Sequence, residues 1–257
     1  MKAIRISPPT IRELIVNKLG KKVIWGLEKF ISRYSLVPND PFFDPTQFAW
    51  TSILEDNWQE IRDELEVILQ YSDRLPRFQD ISPDQGVNIS KDDLWKTFFL
   101  YGYGLKMEQN CSYCPNTTRI IEQIPGMKTA FFSIMMPGKH IPEHRGPYNG
   151  VLRCHLAVKV PEPADRCGIR VDRETKHWEE GKTIVFDDSY PHEAWNKTDD
   201  IRVVLFLDIV RPMSFPASVF NSFLIGLIRW SPFIRDAYKN QQQWDKKLAK
   251  VFERSPS

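Results

Sequence analysis

Cysteine is scarce in this chain, with four in 257 residues, and long apolar runs are missing. So few cysteines in so long a chain exclude a small disulfide-held scaffold. Cys111 and Cys114 form one C-x-x-C, but Cys154 and Cys167 do not make a matching second pair, and no βαβ context surrounds the first. A structural zinc site and thioredoxin-like chemistry both lose their framework, which leaves a buried or incidental pair. A membrane-spanning helix needs about 20 consecutive apolar residues. The most apolar segment, Ser214 to Ile234, has Arg229 as its only charge but is broken by Pro216, Gly226 and Pro232. An interfacial helix fits it better than a span. The first residues are polar and proline-broken, without the apolar stretch of a signal peptide, so the expected location is the cytoplasm. No internal repeat or low-complexity tract is present.

At 42% hydrophobic and 26% charged residues, the composition is that of a folded chain. Its net charge of +2 hides an asymmetry. Residues 1–34 carry eight Lys/Arg against Glu13 and Glu28, and residues 214–257 carry seven against three acids, which leaves the middle at −8. From Thr10 to Tyr34 the apolar residues Ile11, Leu14, Ile15, Leu19, Val23, Ile24, Leu27, Phe30 and Ile31 recur every three or four positions. Lysines lie between them. This is the pattern of a basic amphipathic helix. Both ends then have two readings. They dock the chain on the anionic inner face of a membrane, or they simply cover the globular body. Nucleic acid is not an expected partner, because the basic residues alternate with aliphatics rather than with exposed aromatics.

Between the ends, a connector with three prolines in Val37 to Thr46 precedes a helical pattern from Trp58 to Tyr71 and a polar loop reaching about Lys91. The period then changes. Leu94–Tyr103, Ala130–Met136, Val151–Val160, Gly168–Asp172, Thr183–Phe186 and Ile201–Val210 are short runs rich in β-branched and aromatic residues, separated by turn residues. Strands at regular spacing without intervening helices predict an antiparallel sandwich or barrel. The expected organisation is a basic helix and connector at 1–45, a mainly β domain with a leading helix at 46–213, and a helical basic and apolar tail at 214–257.

All five histidines lie between 140 and 192. His144 sits in a turn-rich loop and His192 just after a strand, so opposite rims of a barrel can bring the two imidazoles together as a metal platform. Arg153 and His155, at i and i+2, share one strand face. Arg202 opens an almost wholly apolar strand. An arginine facing a β core requires an anionic partner. A small dicarboxylate bound to a metal satisfies Arg153 and Arg202, and so do core acids such as Asp187, Asp188 or Asp208.

The ordered series Phe131-Phe132-Ser133-Ile134-Met135-Met136-Pro137-Gly138-Lys139-His140, His144-x-Gly146-Pro147, Leu152-Arg153-x-His155-Leu156, Cys167-x-Ile169-Arg170, Trp178-x-Glu180-Gly181-Lys182, Phe186-Asp187-Asp188-Ser189-x-x-His192 and Arg202 resembles the aspartyl/asparaginyl β-hydroxylase family. The likeness spans about residues 94–212. It implies a double-stranded β-helix, the jelly-roll or cupin-like fold, with iron(II), 2-oxoglutarate and dioxygen as cofactor and cosubstrates. By that resemblance His144 and His192 bind iron, Ser133 and Arg202 hold the distal carboxylate of 2-oxoglutarate, and Arg153 and His155 contact its metal-proximal carboxylate. The His144-Arg145-x-Pro147-Tyr148 and Val210-Arg211-Pro212 segments are similar to bacterial lipid A hydroxylases of the family.

One position departs from the wider dioxygenase class. Two residues after His144, where a ligating Asp or Glu is usual, stands Gly146. Water, or less readily Asp187 or Asp188, then completes the site. The leading expectation is a hydroxylase of an unactivated C–H bond in a membrane lipid acyl chain. The alternatives are a β-hydroxylase of aspartyl or asparaginyl residues in a peptide, and a non-catalytic metal-dependent binding protein.

Overall fold

The computed structural model describes residues 24–83 and 89–252. Two antiparallel sheets face each other. The larger contains β1 (Phe42–Phe43), β2 (Trp95–Gly102), β3 (Leu105–Lys106), β4 (Met127–Met135), β6 (Val151–Lys159), β9 (Thr183–Phe186) and β11 (Arg202–Val210), in the order β1-β9-β6-β11-β4-β2-β3. The smaller contains β5 (His140–His144), β7 (Cys167–Val171), β8 (Glu174–His177) and β10 (His192–Asn196), in the order β5-β10-β7-β8. This is the expected mainly β jelly roll with helical flanks.

The central strands read as continuous apolar runs because both faces of the larger sheet are covered. On β11, Val203, Leu205, Leu207 and Ile209 pack outward into one core with Ile61, Leu65 and Ile68 of the helix Trp58–Leu69. Val204 and Phe206 belong to the inner core, with Ile141, Ile169 and Ala194 of the smaller sheet. Each fully buried Leu or Ile contributes about 1.5–3 kcal/mol to this arrangement. The same period of two puts Ser133 of β4, Arg153 and His155 of β6, and Arg202 and Asp208 of β11 on the inner face. There polar groups need partners.

Several short elements have no hydrophobic signal of their own. β1, β3, β5, β8 and β10 are two to five residues long, and the helix Phe78–Ile81 lies within the stretch expected to be loop. β5, His-Ile-Pro-Glu-His, is the outermost strand of its sheet, where Pro142 is tolerated because that side carries no ladder partner. The expected helix Thr10–Tyr34 is seen over 24–34, and its earlier part lies outside the described residues. Phe30 of this helix meets Phe220 edge-on at 5.8 Å, and Ile31 packs with Tyr148, Met213 and Ala217. The flanks therefore cover the body, as one of the two readings required. No single described helix is long and apolar enough to cross a membrane.

Arg211 ties the connector to the barrel. Its fully buried guanidinium pairs with Asp187 at 2.6 Å and also donates to Ser35 Oγ and the Pro38 carbonyl, each at 2.9 Å. Removing one partner of such a pair strands the other charge. Arg211→Met is expected to cost about 3–5 kcal/mol in urea unfolding, and adding Asp187→Leu should recover part of it. A loss below about 1 kcal/mol for the single change would show that the pair does not anchor the connector.

Candidate active site

The strand pairing of β5 with β10 assembles the centre of the site. His144 ends β5, His192 begins β10, and the two are direct register partners with ring centroids 4.2 Å apart. The sequence placed both histidines in loops beside strands. In the structure both lie on strands, because backbone pairing with neighbours overrides the weak local signal of these short polar segments. His144 Nδ1 lies 2.8 Å from the Pro142 carbonyl and His192 Nδ1 lies 2.9 Å from the Tyr190 carbonyl. A carbonyl only accepts, so each Nδ1 carries the proton and each Nε2 keeps its lone pair for a ligand. Burial lowers the His144 pKa below the usual histidine value. Burial, reinforced by His144 and Arg153, drives His192 down to about 3. Both rings are thus neutral near pH 7, the form that binds metal.

Deeper in the barrel, Arg202 is buried, with no carboxylate in ion-pair range among the described residues. Its guanidinium donates to the Ser133 carbonyl at 3.3 Å, touches the Met135 sulfur, and lies over the Trp178 ring at 4.4 Å, while Nε has no partner. Burial lowers its pKa to about 10. His155 is also buried, and neither of its ring nitrogens has a hydrogen-bond partner. Burial, with Arg202 and Arg153 adding to it, holds His155 well below the usual histidine range. Beside them Ser133 Oγ accepts from Trp95 Nε1 at 3.0 Å and retains its own hydroxyl proton to give. An unpaired buried cation costs several kcal/mol, and a bidentate carboxylate relieves that cost. The donor set fits a small dicarboxylate.

The second arginine is different. Arg153 pairs with Asp188 at 2.8 Å and with its cross-strand neighbour Asp208 at 3.0 Å. Of the two readings open at the sequence level, the structure shows the core-acid pairing for Arg153, while the group still lines the same cavity as the histidines. Burial opposes its charge, but the two carboxylates outweigh burial and raise its pKa. Asp188 is itself pushed up to about 7 by burial, with Arg153 pulling down and Asp208 and Asp187 pushing up.

Gly146 has a packing explanation. A Cβ there would lie 2.2 Å from Asp188 Oδ2 and 2.4 Å from Cγ. The Asp188 carboxylate occupies the room that a side chain at 146 would need, and the Gly146 N–H donates to the Asp188 carbonyl at 2.7 Å. Asp187 turns away to Arg211 and the Ser189 N–H. Among the described residues no cluster of three or more His, Cys, Asp or Glu forms a ready metal site.

All six residues singled out from the sequence, Ser133, His144, Arg153, His155, His192 and Arg202, line one cavity of about 400 Å³. The sequence offered Asp208 only as one of three core acids for either arginine, and the pairing of β6 with β11 sets it opposite Arg153. It did not reveal the places of Trp95 and Trp178 beside Ser133 and Arg202. The cavity continues along an apolar limb between Phe78, Ile81 and Phe99 to Ile234, Ala237 and Tyr238 of the helix Pro232–Phe252. Gly146→Asp is expected to destabilise the protein by about 1–3 kcal/mol through overpacking against Asp188. In the Gly146→Asp, Asp188→Gly pair that cost should shrink. Additive losses in thermal or urea unfolding would refute the steric account.

A sequence model described as Aspartyl/Asparaginyl beta-hydroxylase matches residues 55–212. The ornithine lipid ester-linked acyl 2-hydroxylase of Rhizobium tropici is 46% identical over 251 residues, covering 96% of this chain and 89% of that protein. The aspartyl/asparaginyl beta-hydroxylase of Homo sapiens is 34% identical over 180 residues, 67% of this chain and 23% of that protein. Among solved structures, a Cupin 2 conserved barrel domain protein from Salinispora arenicola superposes with a TM-score of 0.31 at 11% identity, over 55% of this chain and 92% of that one. With a match that runs from the first helix against the larger sheet to the end of its last long strand, the chain belongs to the aspartyl/asparaginyl β-hydroxylase family.

Proposed function

We propose that this protein is an iron(II)- and 2-oxoglutarate-dependent hydroxylase of lipid acyl chains, working at the cytoplasmic face of a membrane. The observation that carries the chemistry is the pairing of two ligand-ready imidazoles with a buried, uncompensated Arg202 in one cavity. The Nε2 atoms of His144 and His192 would hold the metal. Arg202 and Ser133 would receive the distal carboxylate of 2-oxoglutarate, with Arg153 and His155 at the metal-proximal one. Bound iron, with 2-oxoglutarate and dioxygen, supplies the oxidation that puts oxygen into an unactivated C–H bond.

The remaining work belongs to the chain. Two neutral histidines would leave room on a metal for cosubstrate, dioxygen and water, and the Asp188 carboxylate is held in its ion pair with Arg153, which also pairs with Asp208. The Pro142 and Tyr190 carbonyls fix both ring tautomers. Phe99, Phe131 and Phe206 wall the cavity with aromatic surface, which disfavours water there. For the substrate, an apolar limb matches an acyl tail better than a peptide side chain bearing a carboxylate. The name of the 46% identical relative, an acyl 2-hydroxylase acting on a lipid, supports the same reading.

The test is incubation of purified protein with iron(II), 2-oxoglutarate and ester-linked acyl lipids, following succinate and the gain of one oxygen atom on the acyl chain. Oxygen gained by an aspartyl or asparaginyl peptide instead would transfer the reading to peptide hydroxylation. No turnover of 2-oxoglutarate in any arm would leave a binding protein. The His144→Ala, His192→Ala double variant is expected to lose iron in equilibrium dialysis together with all turnover. Arg202→Met should weaken 2-oxoglutarate binding about 30-fold or more, because a buried carboxylate loses its charged partner. Its ligand-free unfolding free energy should hold or rise, because an unpaired buried cation has been replaced by an apolar side chain. Intact 2-oxoglutarate affinity in that variant would remove Arg202 from the site.

A further inference from the structure

The C-terminal helices do two things at once. Ile234, Ala237 and Tyr238 of the helix Pro232–Phe252 line the apolar limb of the catalytic cavity. The helix just before it, Ala217–Arg229, buries Ala217, Asn221 and Ile225 against the body, packs Leu224 and Ile228 beside them, and leaves its opposite side exposed. Val219, Phe220, Phe223 and Leu227 on that helix, with Phe215 before it and Trp230 after it, are 42% to 78% exposed. Isolated exposed apolar residues are ordinary, but six within 16 residues, three of them phenylalanine and one tryptophan, are not.

Neighbouring features identify what covers this face. The helix at 24–34 packs beside it through Phe30 and Phe220 and adds exposed Ile24 and Trp25. The charged residues carried by these segments, 24–34 and 214–239, are mainly cationic: Lys29, Arg33, Arg229, Arg235 and Lys239, against Glu28 and Asp236. Glu28 is bound to Arg145, a residue of the cavity wall, at 2.9 Å, and Asp236 lies 3.5 Å from Lys239. Tryptophan at the rim of an apolar face and a cationic border are what an anionic bilayer surface selects. A second copy of the chain would bring like charges together. The two helices meet at a 53° bend, so they suit lying along a surface rather than crossing it as one rod.

We infer that the face formed by Phe215, Val219, Phe220, Phe223, Leu227 and Trp230 docks on an anionic lipid bilayer, so that the helix Pro232–Phe252 sets the mouth of the apolar limb at the membrane surface. The docking rests on the acyl-hydroxylase reading only for its purpose, since the surface itself is independent of the reaction. Arg229 reaches toward the turn at Gly104, next to Tyr103 of the cavity wall, and Arg145 links the helix at 24–34 to the histidine site. The docked face and the cavity are therefore parts of one rim, and an acyl chain leaving the bilayer has a short path to the metal site.

The experiment is sedimentation of the full chain with phosphatidylglycerol vesicles and with phosphatidylcholine vesicles, for the wild type and the Phe223→Glu, Leu227→Glu variant. Neither residue lines the cavity. Wild-type binding that prefers phosphatidylglycerol, weakens with salt and falls about tenfold or more in the variant is the expected result. Circular dichroism and turnover of a short-chain acyl ester dispersed in water should be unchanged in the variant, which shows that it folds. Equal vesicle binding by both proteins, or none by the wild type, overturns the docking face. A wild-type dimer that the substitutions convert to monomer without any vesicle binding also overturns it, in favour of a second copy. If the two proteins differ in vesicle binding but neither hydroxylates any acyl chain, the docking face stands and the acyl-hydroxylase reading falls.

Discussion

The cost of holding a guanidinium inside a β core shapes the rest of this molecule. Among the described residues Arg202 has no carboxylate in ion-pair range to offset its burial: its contacts are a carbonyl, two sulfurs and an indole ring. A fold can carry such a deficit only if burial elsewhere is large. Here the larger sheet is covered on both faces, by helices outside and by the smaller sheet inside, so each long strand contributes two rows of apolar side chains to the total. An anionic ligand at Arg202, as proposed, would relieve the deficit and draw its binding energy from the unmet charge. Positive charge at the site and stability in the surrounding layers are two sides of one arrangement.

The same logic separates the two arginines that sequence reading grouped together. Both face inward, but Arg153 stands opposite Asp208 in the ladder and beside Asp188, so its charge is already compensated before any ligand arrives. Asp188 has a second consequence. By filling the space beside Gly146 it forbids a side chain where a third protein ligand would stand. A carboxylate is present at the site, but it is held in an ion pair instead of being offered from position 146. On the proposed reading, the protein would offer a metal only two neutral imidazoles. Gly146 therefore cannot gain a side chain while Asp188 stays in place without strain.

Period and charge made much of this legible. Six strands were visible because their runs are apolar and β-rich, and Arg153, His155 and Arg202 stood out because charge in such runs is costly. The order of anchors from Phe131 to Arg202 carried the jelly-roll assignment. What stayed hidden depends on pairing. β5 and β10 are five residues each, rich in charge, and take their structure from each other rather than from their own pattern. The register that sets His144 against His192, and Arg153 against Asp208, is a property of two strands together. The clash between Gly146 and Asp188 joins residues 42 positions apart, with nothing in either segment to announce it.

The basic ends acquire a sharper meaning from the same geometry. As composition they allowed either docking or simple coverage, and the structure gives one segment both a buried side that covers the body and an exposed apolar side. The helix at 217–229 has two working sides: Ala217, Ile225 and Asn221, whose amide donates to the Gly150 carbonyl at 2.8 Å, seat it on the barrel, and its aromatic side is left outside. The following helix then lines the cavity with Ile234, Ala237 and Tyr238. A substrate that is itself apolar must be kept from water along its whole path. A wall of the cavity that is continuous with an apolar outer surface meets that requirement with a single stretch of chain.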